Sequence, residues 1–241
     1  MSNIQVFQNS DKEIVKQKAS QTLEKVLFEN SNKKILLLLS GGSAFSILSS
    51  IIQGLSNCIT VGVLDERYDL DPKINNFSQL MKTPFYLNAK EKGWKFVDTR
   101  IKNNETISDL TLRFEEKLKS WRKNNPDGQI IITQGMGPDG HTAGIMPYPE
   151  DKKLFDKLFE DEKNWVVSYD AGDKNKYPQR ITATLPFLRI ADVSIMFIAG
   201  KEKATILNKI LSENISNNIF PASIIHEMKK VYLFTDTVIP A

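Results

Sequence analysis

Apolar positions in this chain gather into short continuous runs separated by stretches of helical periodicity. The runs ending at Leu39, Leu64 and Thr133 (Lys34 to Leu39, Ile59 to Leu64, Ile130 to Thr133) show no polar alternation. Such runs fit strands covered on both faces, as in a parallel sheet. Runs at Lys95 to Val97, Trp165 to Ser168, Arg180 to Thr184, Val193 to Ile198 and Val231 to Phe234 read as further strands. Ser10 followed by Glu13 has the spacing of a capping box, and Ile14, Ala19, Leu23, Val26 and Leu27 then form one helical face up to about Asn30. Helices are also expected over Ser43 to Gln53, over residues 76–92 with a break at Pro84, over Thr106 to Lys123 and over Glu202 to Leu211. One short strand precedes the first helix. The order of strands and helices predicts an α/β fold: a doubly wound, mainly parallel sheet with helices on both faces, a Rossmann-like three-layer sandwich. No shift in composition marks a boundary, so residues 1–241 read as one domain.

Composition narrows the classes of function. With 41% hydrophobic and 25% charged residues, the 241-residue chain is ordinary globular material able to bury a sizeable core. Its 32 basic and 29 acidic residues leave a net charge of +3, which lacks the cationic surplus of a nucleic-acid binder but allows small anions as ligands. The single cysteine, Cys58, excludes an intrachain disulfide and a multi-cysteine metal site, and reads as a small buried apolar residue. The longest aliphatic run, Ile35 to Leu39, is too short to span a bilayer, and the polar N-terminus does not resemble a signal sequence. A cytoplasmic protein without membrane or nucleic-acid partners is expected. The sequence assigns no oligomeric state.

Four segments at predicted strand ends can carry chemistry. Ser40, Gly41, Gly42 and Ser43 join a buried strand to a helix; two glycines permit close backbone approach to an anion, and a helix start offers free N–H groups. The same sequence also serves as a plain tight turn, and it is neither a dinucleotide fingerprint nor a P-loop. Asp65, Glu66 and Arg67 directly follow an apolar run, so their charges must be paired or face solvent. Arg67 is suited to bidentate recognition of a phosphate or carboxylate. The third segment runs from Gln134 to Ala143 and places Asp139 and His141 on a glycine-broken turn. An imidazole, with an unperturbed pKa of about 6.5, suits proton transfer near neutral pH, and the chain has only two histidines, His141 and His226. The fourth pairs Pro178 to Thr182, containing Arg180, with Gly200 to Lys203.

In that order the segments resemble the 6-phosphogluconolactonase family, within the superfamily that also holds glucosamine-6-phosphate deaminases. The resemblance runs from about Ser10 to the closing strand and is carried by Ser40-Gly41-Gly42-Ser43, Asp65-Glu66-Arg67, Gly135 to Ala143, Pro178 to Thr182, Gly200 to Lys203 and Phe220 to Ser223. The Gly-x-Gly-x-Asp-Gly-His-Thr-Ala string is the most specific. The chain departs from the family in having Ser43-Ala44-Phe45 after the two glycines and Asn75-Asn76 after the acidic segment.

The resemblance implies hydrolysis of 6-phospho-D-glucono-1,5-lactone to 6-phosphogluconate in the pentose phosphate pathway, without metal or organic cofactor. It implies His141 as general base toward water and then general acid toward the ring oxygen, with Asp139 orienting or tuning the site. Ser40, Gly41, Gly42, Ser43, Asp65, Arg67, Arg180 and Lys203 are the expected substrate and phosphate contacts; Arg67 alternatively steadies the oxyanion. A hexosamine-phosphate deaminase of this superfamily carries a carboxylate five residues after the histidine, a position held here by Met146. A non-catalytic sugar-phosphate sensor is a further alternative, but no recognition helix for DNA is visible.

Overall fold

The computed structural model describes residues 3–48, 55 and 58–237. In chain order the first elements are β1 (Ile4–Gln8), α1 (Lys12–Glu29), β2 (Ile35–Leu39), a 3₁₀ segment (Gly42–Leu48), β3 (Ile59–Val63), β4 (Asp65–Arg67), α2 (Asn76–Leu80), α3 (Pro84–Glu91) and β5 (Lys95–Phe96). They are followed by α4 (Ile107–Asn124), β6 (Gln129–Gln134), α5 (Lys152–Phe159), β7 (Val166–Asp170), β8 (Gln179–Ala183), α6 (Leu185–Ile190), β9 (Val193–Ile198), α7 (Ala204–Ser212) and β10 (Val231–Thr235). Further 3₁₀ turns lie at Gly172–Lys174, Lys201–Lys203 and Pro221–His226.

Seven strands form one sheet in the order β1-β10-β9-β6-β2-β3-β5, with every pairing parallel. Along β2, Leu36 and Leu38 enter one core while Ile35, Leu37 and Leu39 enter the other. This alternation follows from the strand period of two, and it explains why β2 has no polar position to spare. One face is covered by Val15, Ala19, Leu23 and Leu27 of α1 together with Phe77 of α2 and Phe85 of α3. The other is covered by Leu110, Phe114 and Leu118 of α4 and by apolar residues of α5, α6 and α7. The expected α/β architecture with helices on both faces is present.

A second sheet departs from the sequence reading. Strands β4, β8 and β7 pair antiparallel in a separate three-stranded sheet, so Arg180 to Thr184 and Trp165 to Ser168 do not extend the main sheet. Val166, Ile181 and Ala183 pack into the same core as Leu36 and Ile132, which holds the small sheet against the large one. Asp65 to Arg67 is itself a strand of this sheet rather than the frayed end of β3.

Three local expectations also change. The N-cap of α1 is Asp11, whose carboxylate accepts from the N–H groups of Glu13 and Ile14, in place of a Ser10–Glu13 box. Over 42–48 the chain forms a 3₁₀ segment instead of an α-helix, and 49–53 of the expected helix lies outside the described residues. Among the described residues of this segment no α-helix stands behind Gly42 to supply a helix dipole there. Helices α5 and α6 were not legible in the periodicity.

The chain turns back at β2. From there it runs outward through β3 and β5, then returns to place β6 on the opposite flank of β2. Open α/β sheets place their ligands in the crevice at the carboxyl ends of strands at such a reversal. Ser40 leaves the end of β2 and Gly135 the end of β6, and the Ser40 N–H donates to the Thr133 hydroxyl across the gap at 3.0 Å.

Candidate active site

A cleft of about 240 Å³ opens at this reversal and is lined by Ser40, Gly41, Gly42, Asp65, Arg67, Asn76, the backbone from Gly135 to Pro138, His141 to Gly144, Arg180 and Lys203. Its size lies just under the range of roughly 300–1,000 Å³ typical of larger ligands, as suits a small polar metabolite. Segments far apart in sequence meet here because their strands all end on one edge. The side chain of Ser43 lies outside the described residues.

The loop after β6 is built to present His141. Gly137 N–H donates to the His141 carbonyl at 2.9 Å, and Gly140 N–H donates to the Gly137 carbonyl at 3.1 Å. Gly140 has φ of +82°, a left-handed conformation that favours glycine, and a Cβ there would collide with the Phe220 ring at 2.7 Å. The Ala222 N–H completes the support by donating to the Gly140 carbonyl. Below the loop, Thr142 Oγ1 donates to the Gly135 carbonyl at 2.7 Å and accepts from Gln134, whose own carbonyl oxygen accepts from Ser194 of β9.

His141 Nδ1 lies 2.5 Å from Asp139 Oδ1. A carboxylate can only accept, so the neutral imidazole carries its proton on Nδ1 and presents a lone pair at Nε2. Burial pushes the Asp139 carboxyl up, but the hydrogen bond and charge of His141 outweigh it and hold the group below the ordinary aspartate range. Asp139 therefore stays ionised at neutral pH. His226, the other histidine, bonds through Nε2 to the Ile210 carbonyl at 2.7 Å and takes no part in the cleft.

The opposite wall comes from the small sheet. Arg67 and Arg180 are direct cross-strand partners in the β4–β8 pair, while Asp65 stands opposite Thr182. Strand period puts Asp65 and Arg67 on one face, so two guanidinium groups and one carboxylate share it. Like charges directly opposite each other are destabilising unless something neutralises them. Asp65 Oδ2 accepts from Arg180 Nη2 at 2.7 Å in a buried ion pair. Arg67 has no such carboxylate among the described residues; its guanidinium lies 5.0 Å from the Tyr177 ring centroid. The cleft thus keeps one uncompensated arginine charge beside a neutralised one. Gly144, at φ +72°, lets the His141 loop pass this pair, because a Cβ would come within 2.8 Å of the Asp65 carboxylate. Lys203 reaches the cleft from the end of β9, and its burial holds the ammonium below the ordinary lysine range.

Two further residues are not among the expected site contacts. Asn76 lines the cleft, donating through Nδ2 to the Asp65 carbonyl at 3.0 Å, and Gly41 presses against its amide so closely that a Cβ would lie 2.5 Å from Oδ1. Glu66 is fully buried, with no ion pair among the described residues, contrary to the expectation that every charge of its segment be paired or solvated. Its oxygens accept from four donors instead: the N–H groups of Arg67 at 2.8 Å, Asn76 at 2.5 Å and Phe77 at 3.0 Å, and the Thr99 hydroxyl at 2.8 Å. Burial pushes this carboxyl up to about 7, against the pull of those four hydrogen bonds. The only sequence signal for it was a carboxylate placed between two residues destined for the cleft.

Met146, the position at which a deaminase of the superfamily carries a carboxylate, is fully buried in the core and does not line the cleft. Its thioether contacts the Asn175 amide at 3.9 Å.

A family model described as glucosamine-6-phosphate isomerases/6-phosphogluconolactonase matches residues 9–234. The chain belongs to this family. Among relatives within the glucosamine-6-phosphate isomerase/6-phosphogluconolactonase family, the 6-phosphogluconolactonase of Thermotoga maritima is 28% identical over 206 residues, covering 83% of this chain and 84% of its own. That of Rattus norvegicus is 27% identical over 224 residues, covering 88% of this chain and 80% of its own. Among solved structures, a 6-phosphogluconolactonase from Plasmodium vivax superposes with a TM-score of 0.76 at 18% identity, over 98% of this chain and 91% of that one. The Thermotoga maritima crystal structure superposes with a TM-score of 0.71 at 24% identity, over 98% and 99% of the two chains. Both likenesses establish the fold. Among the described residues no helix is long and apolar enough to cross a membrane.

Proposed function

We propose that this protein is a 6-phosphogluconolactonase, hydrolysing 6-phospho-D-glucono-1,5-lactone to 6-phosphogluconate in the oxidative pentose phosphate pathway, with the whole chain acting as one domain. The observation that carries this reading is the meeting in one cleft of the Asp139-held imidazole of His141 with the Arg67–Arg180 pair. Names borne by the relatives support the same reaction.

The chemistry follows from the geometry. Water bound at His141 Nε2 gives up its proton to the imidazole as its oxygen attacks the lactone carbonyl. The ionised Asp139 stabilises the imidazolium that forms. Collapse of the tetrahedral intermediate breaks the bond to the ring oxygen, which takes the proton back from Nε2, so the imidazole ends neutral and one water has been added. Arg67, with Arg180 and the Ser40–Gly42 turn, holds the phosphate, and Lys203 adds charge at its edge; Asp65 keeps Arg180 aimed. The tetrahedral oxyanion meets the backbone between Gly135 and Gly144. No step calls for a metal or an organic cofactor, and the ligand is the sugar-phosphate lactone alone.

The test is turnover of freshly made lactone, read by coupling 6-phosphogluconate to its dehydrogenase under conditions where spontaneous hydrolysis is slow. Phosphorylated lactone should be strongly preferred over the unphosphorylated one, with inorganic phosphate competing. Ammonia release from glucosamine 6-phosphate, or equal kcat/KM for the two lactones, would overturn the assignment.

A further inference from the structure

We propose that Glu66 is a positioning residue for substrate binding: its carboxylate fastens the start of α2 to β4 and so sets Arg67 and Asn76 in the cleft wall. This rests on the lactonase reading above.

Strand period sets the direction of the Glu66 side chain. Along β4, Asp65 and Arg67 face the cleft, so Glu66 between them points the opposite way, toward α2 and Thr99. There it is buried without a basic partner, a costly placement for a carboxylate unless hydrogen bonds compensate. The compensation is specific. A single oxygen, Oε1, accepts from both the Arg67 and the Asn76 N–H groups, and these residues lie 9 positions apart in the chain and side by side in the cleft lining. The second oxygen takes the Phe77 N–H and the Thr99 hydroxyl.

Capping α2 does not by itself explain this arrangement. Asn75 already serves as the side-chain cap of α2, accepting from Ser78 N–H, whereas Glu66 reaches across from another sheet to bind the next two N–H groups. Through Asn76 the constraint passes on: Asn76 Nδ2 donates to the Asp65 carbonyl and lies 3.4 Å from Asp65 Oδ2, the oxygen that holds Arg180. One buried carboxylate therefore fixes both arginines of the anion wall, one through its backbone and the other through Asn76 and Asp65. The hydrogen-bond partners of Glu66 among the described residues, Arg67, Asn76, Phe77 and Thr99, all lie outside the His141 loop. The effect of Glu66 should accordingly fall on affinity and leave bond breaking nearly unchanged.

The experiment compares Glu66→Gln and Thr99→Val with wild type and repeats Glu66→Gln in an Arg67→Ala background. Steady-state kcat and KM are measured on the lactone, and inorganic phosphate binding is measured by calorimetry. Glu66→Gln should raise KM and the phosphate Kd by roughly tenfold while kcat stays within about threefold, and Thr99→Val should move both in the same direction by less. In the Arg67→Ala background Glu66→Gln should add less than about twofold, because the two changes act through one interaction. A purely structural carboxylate would instead lower active enzyme without a KM shift, or would multiply fully with Arg67→Ala; either result overturns the proposal. Should Glu66→Gln fail to fold, Thr99→Val decides, and a folded Thr99→Val enzyme with wild-type KM and phosphate Kd counts against it. Absence of lactone turnover in the wild type would refute the lactonase reading, while phosphate calorimetry would still report on Glu66.

Discussion

A methyl group on Gly137 would lie 2.2 Å from both Cε1 and Nδ1 of the His141 ring. No imidazole can stay where it is beside such a group, so the glycine is what lets Asp139 and His141 close on each other. Gly137→Ala should leave the fold intact and lower kcat by roughly 100-fold, the size of effect a displacement of about 1 Å produces. His141→Asn should lose about 10²- to 10⁴-fold. Steady-state kinetics with circular dichroism checks both, and wild-type kcat in Gly137→Ala would show that the pair tolerates displacement.

Asp139 gives a pH signature. Its carboxyl is held below the ordinary aspartate value of 3.8 in the folded state, so the stability it contributes is present above that value and disappears as pH falls through the lowered one. The difference in Tm between wild type and Asp139→Asn should therefore be constant from pH 7 to about 5 and shrink below about 4. The same variant should lose turnover at neutral pH by about 100-fold or more, because an amide can donate to Nδ1 and stabilise the wrong tautomer. A difference in Tm that persists unchanged at the acid end would refute the linkage.

The two arginines should separate in their effects. Removing Arg180 leaves the Asp65 carboxylate buried and unpaired, a change that typically costs about 3–5 kcal/mol. Arg67 has no ion-pair partner among the described residues, so Arg67→Ala should change stability by less than about 1 kcal/mol while raising KM for the phosphorylated lactone. Urea unfolding alongside kinetics distinguishes them. Equal midpoints for the two variants would mean that the buried pair is not what Arg180 contributes.

Glu66 has the opposite linkage to Asp139. Its value rises from 4.5 to about 7 because burial favours the neutral acid, so its contribution is complete below 4.5 and is lost as pH rises through 7. Glu66→Gln, which cannot ionise, should gain on wild type by an amount on the order of 3 kcal/mol between pH 4.5 and 7.5. Thermal melts across that range test the sign. A constant offset between the two proteins would mean that Glu66 does not titrate there.

The central strands β2, β6 and β9 were legible because each buries both faces: Ile35 to Leu39 leaves no polar position by which to mistake it. The His141 loop was legible for the opposite reason, since its glycines and acid sit within a few residues of one another and need no tertiary information. The small sheet escaped the pattern because β4 is only three residues long, all charged, and acquires its strand character from β8, whose residues lie more than a hundred positions away. Helix α6 has only six residues, Leu185–Ile190, too few for a helical period to show in the sequence. Glu66 accepts from donors on three separate segments and Asn76 donates to Glu66 and Asp65 across the fold, so nothing local to either residue announces its role. The facing of Arg67 and Arg180 is likewise a matter of register between strands, visible only once β4 and β8 are paired.

The loop from Gly135 to Gly144 carries the proton-handling pair complete, with acid, imidazole and the glycine that admits them on one stretch of backbone. The anion wall is a composite, assembled from a small sheet, a short helix and the turn after β2. The proton-handling pair and the anion wall thus reside in parts that meet at Ala143 and Gly144, where the Thr182 hydroxyl donates to the Ala143 carbonyl and the loop brushes the Asp65–Arg180 pair. Changes in the wall should alter which lactone is held, and by how much its carbonyl is offset from the imidazole, while the Asp139–His141 pair keeps its own contacts. What couples the two is distance, and Gly144 is where that distance is set.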